Sequence, residues 1–407
     1  MSGKTLEEWL SFIESQHPNN IELGLDRCSL VLEKLNIKRP KGKILTVAGT
    51  NGKGSTCAML TDYLLHDEFT VGTFTSPHFL KFNERIAING KPVSDSLICD
   101  AFSVIDRIRS DIELTYFEFN TLAAFYIFDQ AKLDHWVLEV GLGGRLDSVN
   151  MIDADVAVVT SIALDHIDWL GDSLDQIAIE KSGIARPNAL LVSGVVNPPD
   201  TIQSNALKIG AILKQKGEHF FFDANSKHWS WKSDSLSFSN LILPHLPIEN
   251  AATVIAVLVF AGFVPTQEKL SSMFNRVTLI GRFQTVNDSP HVIIDVAHNP
   301  EAAAELAKRI TMLGVQPIAV CGMLEDKDFH SVINILSNSF SSWHFADLRA
   351  PRGAKSLLLA ECCGRGICYN SVSEAFAAAE QEAIEKHVPV IVFGSFHTVA
   401  DYLDVYS

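Results

Sequence analysis

Apolar and polar positions alternate along the chain in two textures. Short β-branched runs, "KILTVAG", "TVGTFTS", "DHWVLEVG", "DVAVVTSI" and "ALLVSG", predict buried strands. Between them, stretches such as "STCAMLTDYLLHD" predict amphipathic helices. This alternation, from about residue 43 onward, predicts a doubly wound α/β domain with a mostly parallel sheet.

The texture changes at about residues 219–243, where "HFFFD", "KHWSWKS" and "SLSFSNLIL" are short, aromatic and separated by polar turns. They predict small antiparallel hairpins attached to the first domain. The apolar run Ala251–Val264 is 14 residues long, short of the roughly 20 that span a bilayer, and predicts a buried helix. Strands and helices alternate again after the polar cluster "NDSP" (287–290). The expected division is therefore a larger first domain at 1–286, a linker at 287–290 and a smaller Rossmann-like α/β domain at 291–407. "HVIIDVA", "PIAVCGM", "WHFADL" and "VPVIVFGS" are its strands, and "SEAFAAAEQEAIEKH" is one of its helices. Ligands gather at the carboxyl ends of such strands, where Asp295, His298, Ser395 and His397 stand as candidates for lining a cleft.

Charge narrows the partners. The formal net charge of −15 repels polyanions, so neither nucleic acid nor anionic membrane is expected to bind. Any phosphate or carboxylate must be held locally by backbone N–H groups, a few cations and a divalent metal. The start of the chain is charged and lacks the apolar core of a secretory signal. Its seven cysteines contain no C-x-x-C pair, so a cytoplasmic protein without disulfides or structural zinc is expected.

The chemistry concentrates in "VAGTNGKGST". Gly49, Gly52 and Gly54 let the backbone approach phosphate oxygens. The amides opening the following helix point at them, and Lys53 adds charge, flanked by Ser55 and Thr56. Gly54 stands where a metal-binding hydroxyl usually follows the lysine, so the metal must be anchored elsewhere. Ser76 in "FTSPH", Glu139 ending "WVLEV" and His166 in "LDHID" each sit at or after the carboxyl end of a predicted strand. Together they form an oxygen-and-imidazole set suited to Mg2+ or Mn2+. In "LEVGLGGRLDSVN", Gly141, Gly143 and Gly144 are expected to let the chain pass close to a substrate, with a plain tight turn as the alternative.

In the order "LGLDR", "VAGTNGKGS", "TSPHF", "LTYFEFNTLAAF", "LEVGLGGRLDSVN", "VVTSIALDHIDWLG", "IEKSGI", "GRFQ", "DVAHNP" and "GSFHTVAD", the chain resembles the folate branch of the Mur ligase superfamily over nearly its whole length. The resemblance implies an ATP-dependent amide ligase. It would join dihydropteroate to L-glutamate, then extend reduced folates with further glutamates through an acyl phosphate. Polyglutamylation alone, or phosphoryl transfer by a P-loop small-molecule kinase, is the alternative. It implies Thr50, Asn51, Gly52, Lys53, Gly54, Ser55, Asn250, Arg282 and Asp295 as ATP contacts, the nucleotide thus drawing on both domains. Arg282 would reach the transferring phosphate when the domains close about "NDSP". The resemblance also makes Ser76, Glu139 and His166 the ligands of a first Mg2+. Lys181 matches a position that is often carbamylated and would serve a second metal. Glu22, Leu23, Gly24, Leu25, Thr115, Tyr116, Phe117, Glu118 and Leu146 match the pterin contacts, and His298 and Ser395 would meet the incoming glutamate. A monomer is expected. The basic cluster "LRAPRGAKS", with Arg349, Arg352 and Lys355, reads as a solvated loop, with a polyglutamate tail as the alternative occupant.

Overall fold

All five β-branched runs predicted in the first half become strands of one sheet. The computed structural model describes residues 4–17, 22–350 and 352–406. Two compact units divide the chain, Met1–Val277 and Thr278–Ser407. In the first, β1 (Ile44–Ala48), β2 (Val71–Phe74), β3 (Ile86–Ile88), β4 (Lys91–Pro92), β5 (His135–Glu139), β6 (Val156–Val159), β7 (Leu190–Ser193) and β8 (Ile212–Gln215) form one sheet. The order is β4-β3-β2-β5-β1-β6-β7-β8. The six strands from β2 to β8 in that order run parallel, while β3 and β4 are antiparallel additions at the edge.

The chain leaves β1 toward β2 on one side and later builds β6, β7 and β8 on the other, so a topological switch point lies at the carboxyl end of β1. The pairings Val47 with Glu139 and Ala48 with Val159 put the ends of β5 and β6 level with that point.

Strands β9 (Phe220–Ala224), β10 (His228–Ser233) and β11 (Ser237–Ile242) form the expected antiparallel meander. Trp229 and Trp231 turn inward, and the Trp231 indole N–H donates to the Ala252 carbonyl at 3.0 Å. That carbonyl belongs to the helix Ile248–Phe260, buried at every position from Asn250 to Leu258 as its apolar run predicts. The helix Lys53–His66 departs from the amphipathic expectation. Eight of its residues, from Ser55 to Leu64, are buried, because the helices Ile248–Phe260 and Gln267–Arg276 pack over it.

The second unit contains β12 (Gln284–Asp288), β13 (His291–Ile294), β14 (Ile318–Cys321), β15 (Ser342–Ala346), β16 (Ile367–Tyr369) and β17 (Val390–Phe393), in the order β12-β13-β17-β14-β15-β16. All are parallel except β12. This corrects the expected boundary. Asp288 pairs with His291 across an antiparallel hairpin, so residues 287–290 are the end of β12 and its tip, inside the second unit, and the chain passes between units at Val277/Thr278. A hairpin tip and a linker are both short, polar and rich in turn formers, and composition alone does not separate them. The linker expected at "NDSP" is therefore a hairpin instead.

Candidate active site

The glycine loop follows β1 and enters the helix Lys53–His66 through Gly52, whose φ of +85° only glycine adopts without strain. Two distant side chains also require its glycines. A Cβ on Gly49 would stand 1.8 Å from Thr160 Oγ1, and one on Gly52 would stand 2.4 Å from Asn250 Oδ1. Asn250 is thus placed against the loop. The loop is further tied to the segment after β6. Thr50 N donates to Ser161 O at 3.0 Å, Asn51 N to Ser161 Oγ at 3.0 Å, and Thr160 Oγ1 to Asn51 O at 2.6 Å. Thr160 and Ser161 escaped the sequence reading, although two hydroxyl residues ending a buried strand in "VVTSI" were a signal.

Lys53 Nζ donates to the carbonyls of Gly49 at 3.0 Å and Thr50 at 3.2 Å, which folds it over the loop. Ser55 Oγ and Thr56 Oγ1 are buried in the first turn without a hydrogen-bond partner. Buried hydroxyls are ordinarily satisfied, and two orphans at a helix N-terminus fit a site for anionic oxygens.

At the end of β5, the buried Glu139 carboxylate accepts from Ser76 N at 3.1 Å, which brings two members of the expected metal set together. His166 has a left-handed backbone at the start of the helix Ile167–Leu170, with Nε2 3.9 Å from Asp165 Oδ1. Because β2, β5, β1 and β6 are parallel neighbours, the loops carrying Ser76, Glu139, the glycines and His166 all leave the same sheet edge. One hydroxyl, one carboxylate and one imidazole fit a divalent cation completed by water and phosphate. Among the described residues no cluster of three His, Cys, Asp or Glu side chains forms a metal site by itself. Lys181 is buried near the end of the helix Leu174–Ser182, which Ser173 and Gln176 start with a reciprocal capping box.

The glycines after β5 require a correction. A Cβ on Gly141 would lie 2.5 Å from the Phe117 ring, and one on Gly144 would lie 2.8 Å from Glu180 O. Protein atoms, not a ligand, demand these glycines. Asp147 organises the turn: Oδ2 accepts from Gly141 N at 3.0 Å and Leu142 N at 2.9 Å, and Oδ1 accepts from Val149 N at 2.9 Å. Burial nevertheless pushes its carboxyl up to about 6, against those three bonds and the nearby Lys53 charge.

The residues matched to the pterin converge around an arginine that the sequence reading left without a role. Arg27 Nε donates to both oxygens of Glu118 at 3.0 Å, Nη2 donates to Glu22 O at 3.0 Å, and Nη1 pairs with the Glu22 carboxylate. Gly24 N donates to Leu146 O at 3.2 Å, joining the loop of Leu23 and Leu25 to the turn after β5. Glu118 is buried and also accepts from Thr115 N at 2.8 Å in the capping box of the helix Tyr116–Gln130. Its carboxylate is therefore engaged by protein donors. Tyr116 faces Phe82 and Arg85, and Phe117 packs on Phe74.

In the second unit, Asp295 at the end of β13 accepts from Phe283 N and Ala297 N, each at 2.8 Å. Burial raises its carboxyl, opposed by Arg282. The Arg282 guanidinium lies 5.4 Å from the Phe396 ring centroid and donates to Gly281 O at 3.2 Å. His298 Nδ1 is 2.8 Å from Val296 O. Ser395 is given structural work: its buried hydroxyl accepts from Thr398 N at 2.9 Å at the start of the helix Phe396–Tyr406. His397 is exposed. Two members of the basic cluster are neutralised in place, Arg352 by Asp326 and Lys355 by Asp347, each at 2.8 Å, which fits the solvated loop. Pro351 within it lies outside the described residues.

Residues 47–257 match the Mur ligase middle domain, and residues 281–396 match the Mur ligase glutamate ligase domain. The chain is 42% identical over 406 residues to the dihydrofolate synthase/folylpolyglutamate synthase of Escherichia coli K12, covering 99% of this chain and 96% of that one. The structure of E. coli FolC in complex with DHPP and ADP superposes with a TM-score of 0.96 at 42% identity, over 99% of this chain and 97% of that one. A bifunctional folylpolyglutamate synthase/dihydrofolate synthase with Mn, AMPPNP and L-glutamate bound gives 0.94 at 42% identity, covering 99% and 98%.

Proposed function

Because this chain belongs to the Mur ligase family, and its full-length relatives are dihydrofolate synthase/folylpolyglutamate synthases, we propose that the loops leaving β1, β2, β5 and β6 carry its chemistry. The protein is an ATP-dependent ligase requiring a divalent metal. It joins L-glutamate to dihydropteroate and adds further glutamates to reduced folates. A carboxylate oxygen of the pterin acid attacks the γ-phosphorus of ATP, and ADP leaves. The amine of glutamate then attacks the acyl carbon, loses a proton and expels orthophosphate.

The backbone amides of Thr50, Asn51, Gly52, Gly54 and Ser55 cradle the phosphates, with Lys53 swinging from the loop carbonyls onto the terminal oxygens. Ser76, Glu139 and His166 would hold Mg2+, or Mn2+ in its place, and the cation would supply positive charge to the phosphoryl oxygens. Lys181, if carbamylated, would serve a second metal. Asn250, Arg282 and Asp295 contact the nucleotide. Glu22, Leu23, Gly24, Leu25, Thr115, Tyr116, Phe117, Glu118 and Leu146 line the pterin site, Glu118 acting through Arg27, and His298 meets the glutamate.

The observation that carries this assignment is the pair of buried, unbonded hydroxyls of Ser55 and Thr56 behind a lysine-bearing glycine loop. The test is incorporation of labelled glutamate into dihydropteroate and, separately, tetrahydrofolate. Lys53→Ala and Lys181→Ala should each lower the rate by roughly a hundredfold or more, with phosphate release dependent on glutamate. An undiminished rate in Lys53→Ala overturns the reading.

A further inference from the structure

Two arginines of this chain are buried, Arg85 at 9% exposure and Arg109 at 7%. Arg109 has the partner a buried cation ordinarily requires, its Nη2 lying 2.6 Å from Asp106 Oδ1. Arg85 has no carboxylate within salt-bridge distance among the described residues. Its Nε donates to His78 Nδ1 at 2.7 Å, and its guanidinium carbon lies 5.7 Å from the Tyr116 ring centroid and 5.9 Å from that of Phe82. The neighbouring Glu84 carboxylate is taken up by the backbone amides of Phe79, Leu80 and Lys81.

A permanent charge among three rings and short of a counter-ion costs several kcal/mol. Burial accordingly pulls the Arg85 pKa down, against the attraction of the Glu139 and Glu84 carboxylates. A guanidinium that is left incompletely paired suits an anion that arrives with a ligand.

Its place selects that anion. Arg85 O accepts from Thr75 N at 2.9 Å, beside Ser76, whose own N–H donates to Glu139. The guanidinium is thus beside Tyr116, a residue matched to the pterin, while the Arg85 backbone is tied to the segment that presents Ser76. We propose that Arg85 receives the carboxylate of the pterin acid that is to be amidated, holding its two oxygens in the guanidinium fork. An aryl carboxylate lying along Tyr116 reaches that fork directly. This inference rests on the folate reading of the site above.

The test compares binding of dihydropteroate with binding of the same pterin lacking only its carboxyl group, measured on the full chain by calorimetry. The wild type should prefer the acid by about tenfold or more. Arg85→Gln should reduce that preference to about twofold or less and leave affinity for a non-hydrolysable ATP analogue unchanged. Should that variant fail to fold, Arg85→Lys, which keeps the charge and loses the fork, should cut the preference by about threefold or more. A preference undiminished in a folded variant overturns the proposal. A wild type that binds neither compound overturns the folate reading itself, a different result.

Discussion

Glu382 shows how strongly a single residue depends on its surroundings. It caps no motif, yet it accepts from Ser342 Oγ at 2.7 Å and Lys386 Nζ at 2.6 Å, and its other oxygen lies 2.8 Å from Nε2 of the buried His344. Burial pushes its carboxyl up, but those bonds outweigh it and hold the group at about 2, below its ordinary 4.5. A carboxyl lowered in the folded state contributes stability that is complete above the unfolded value and lost as pH falls through the folded one. Glu382→Gln should cost roughly 1–2 kcal/mol at pH 7 after screening by water, and should flatten the loss of stability between about pH 4.5 and 2. Urea midpoints measured across that range check both. An acid limb identical to the wild type's would show that the bonds contribute nothing.

Elements deliver the site's side chains, and their ends are specified by capping. Thr115 and Glu118 cap the helix Tyr116–Gln130 reciprocally, as Ser173 and Gln176 cap the helix carrying Lys181. The two caps should respond differently. Ser173→Ala loses a half-exposed cap and should cost about 1 kcal/mol. Thr115→Ala also removes the hydroxyl that donates to Glu118 at 2.9 Å, loosening the Arg27 bridge to Glu22. It should raise the KM for dihydropteroate by at least about threefold, with the KM for ATP unchanged. Denaturant unfolding and steady-state kinetics separate the two effects. Equal KM shifts for both substrates would show that the cap serves only stability.

At the scale of the whole molecule, two sheets are built on one plan, parallel strands with antiparallel additions at one edge. In the first unit the groups proposed for catalysis are carried at the carboxyl ends of four neighbouring parallel strands. Among the described residues no helix is long and apolar enough to cross a membrane. The formal net charge of −15 disfavours self-association. If the chain acts as the expected monomer, equilibrium sedimentation should return a single species of 44.7 kDa. A stable dimer at micromolar concentration would refute it.

Periodicity in the sequence reached the buried parallel strands, the aromatic meander and the buried helix at 248–260, because burial on both faces writes itself into local composition. It missed β3, β4, β8, β12 and β16, which are short or half-exposed. Asn89 and Gly90, both at positive φ, were an available hairpin signal for β3 and β4.

In the site, the glycine loop, Lys53, Ser76, Glu139 and His166 were legible because each follows a strand that could be recognised. Arg27, Arg85, Thr160 and Ser161 were not. Their roles are pairings with partners in other elements, such as Arg27 with Glu118 and Thr160 with Asn51. "NDSP" marked a turn but not which kind. Local order along the chain therefore determined the strands, the phosphate loop and the kind of chemistry. Only tertiary structure decided which charges are neutralised, which glycines face protein rather than ligand, and where one unit ends. Those outcomes depend on contacts between residues far apart in the chain, and no local pattern encodes them.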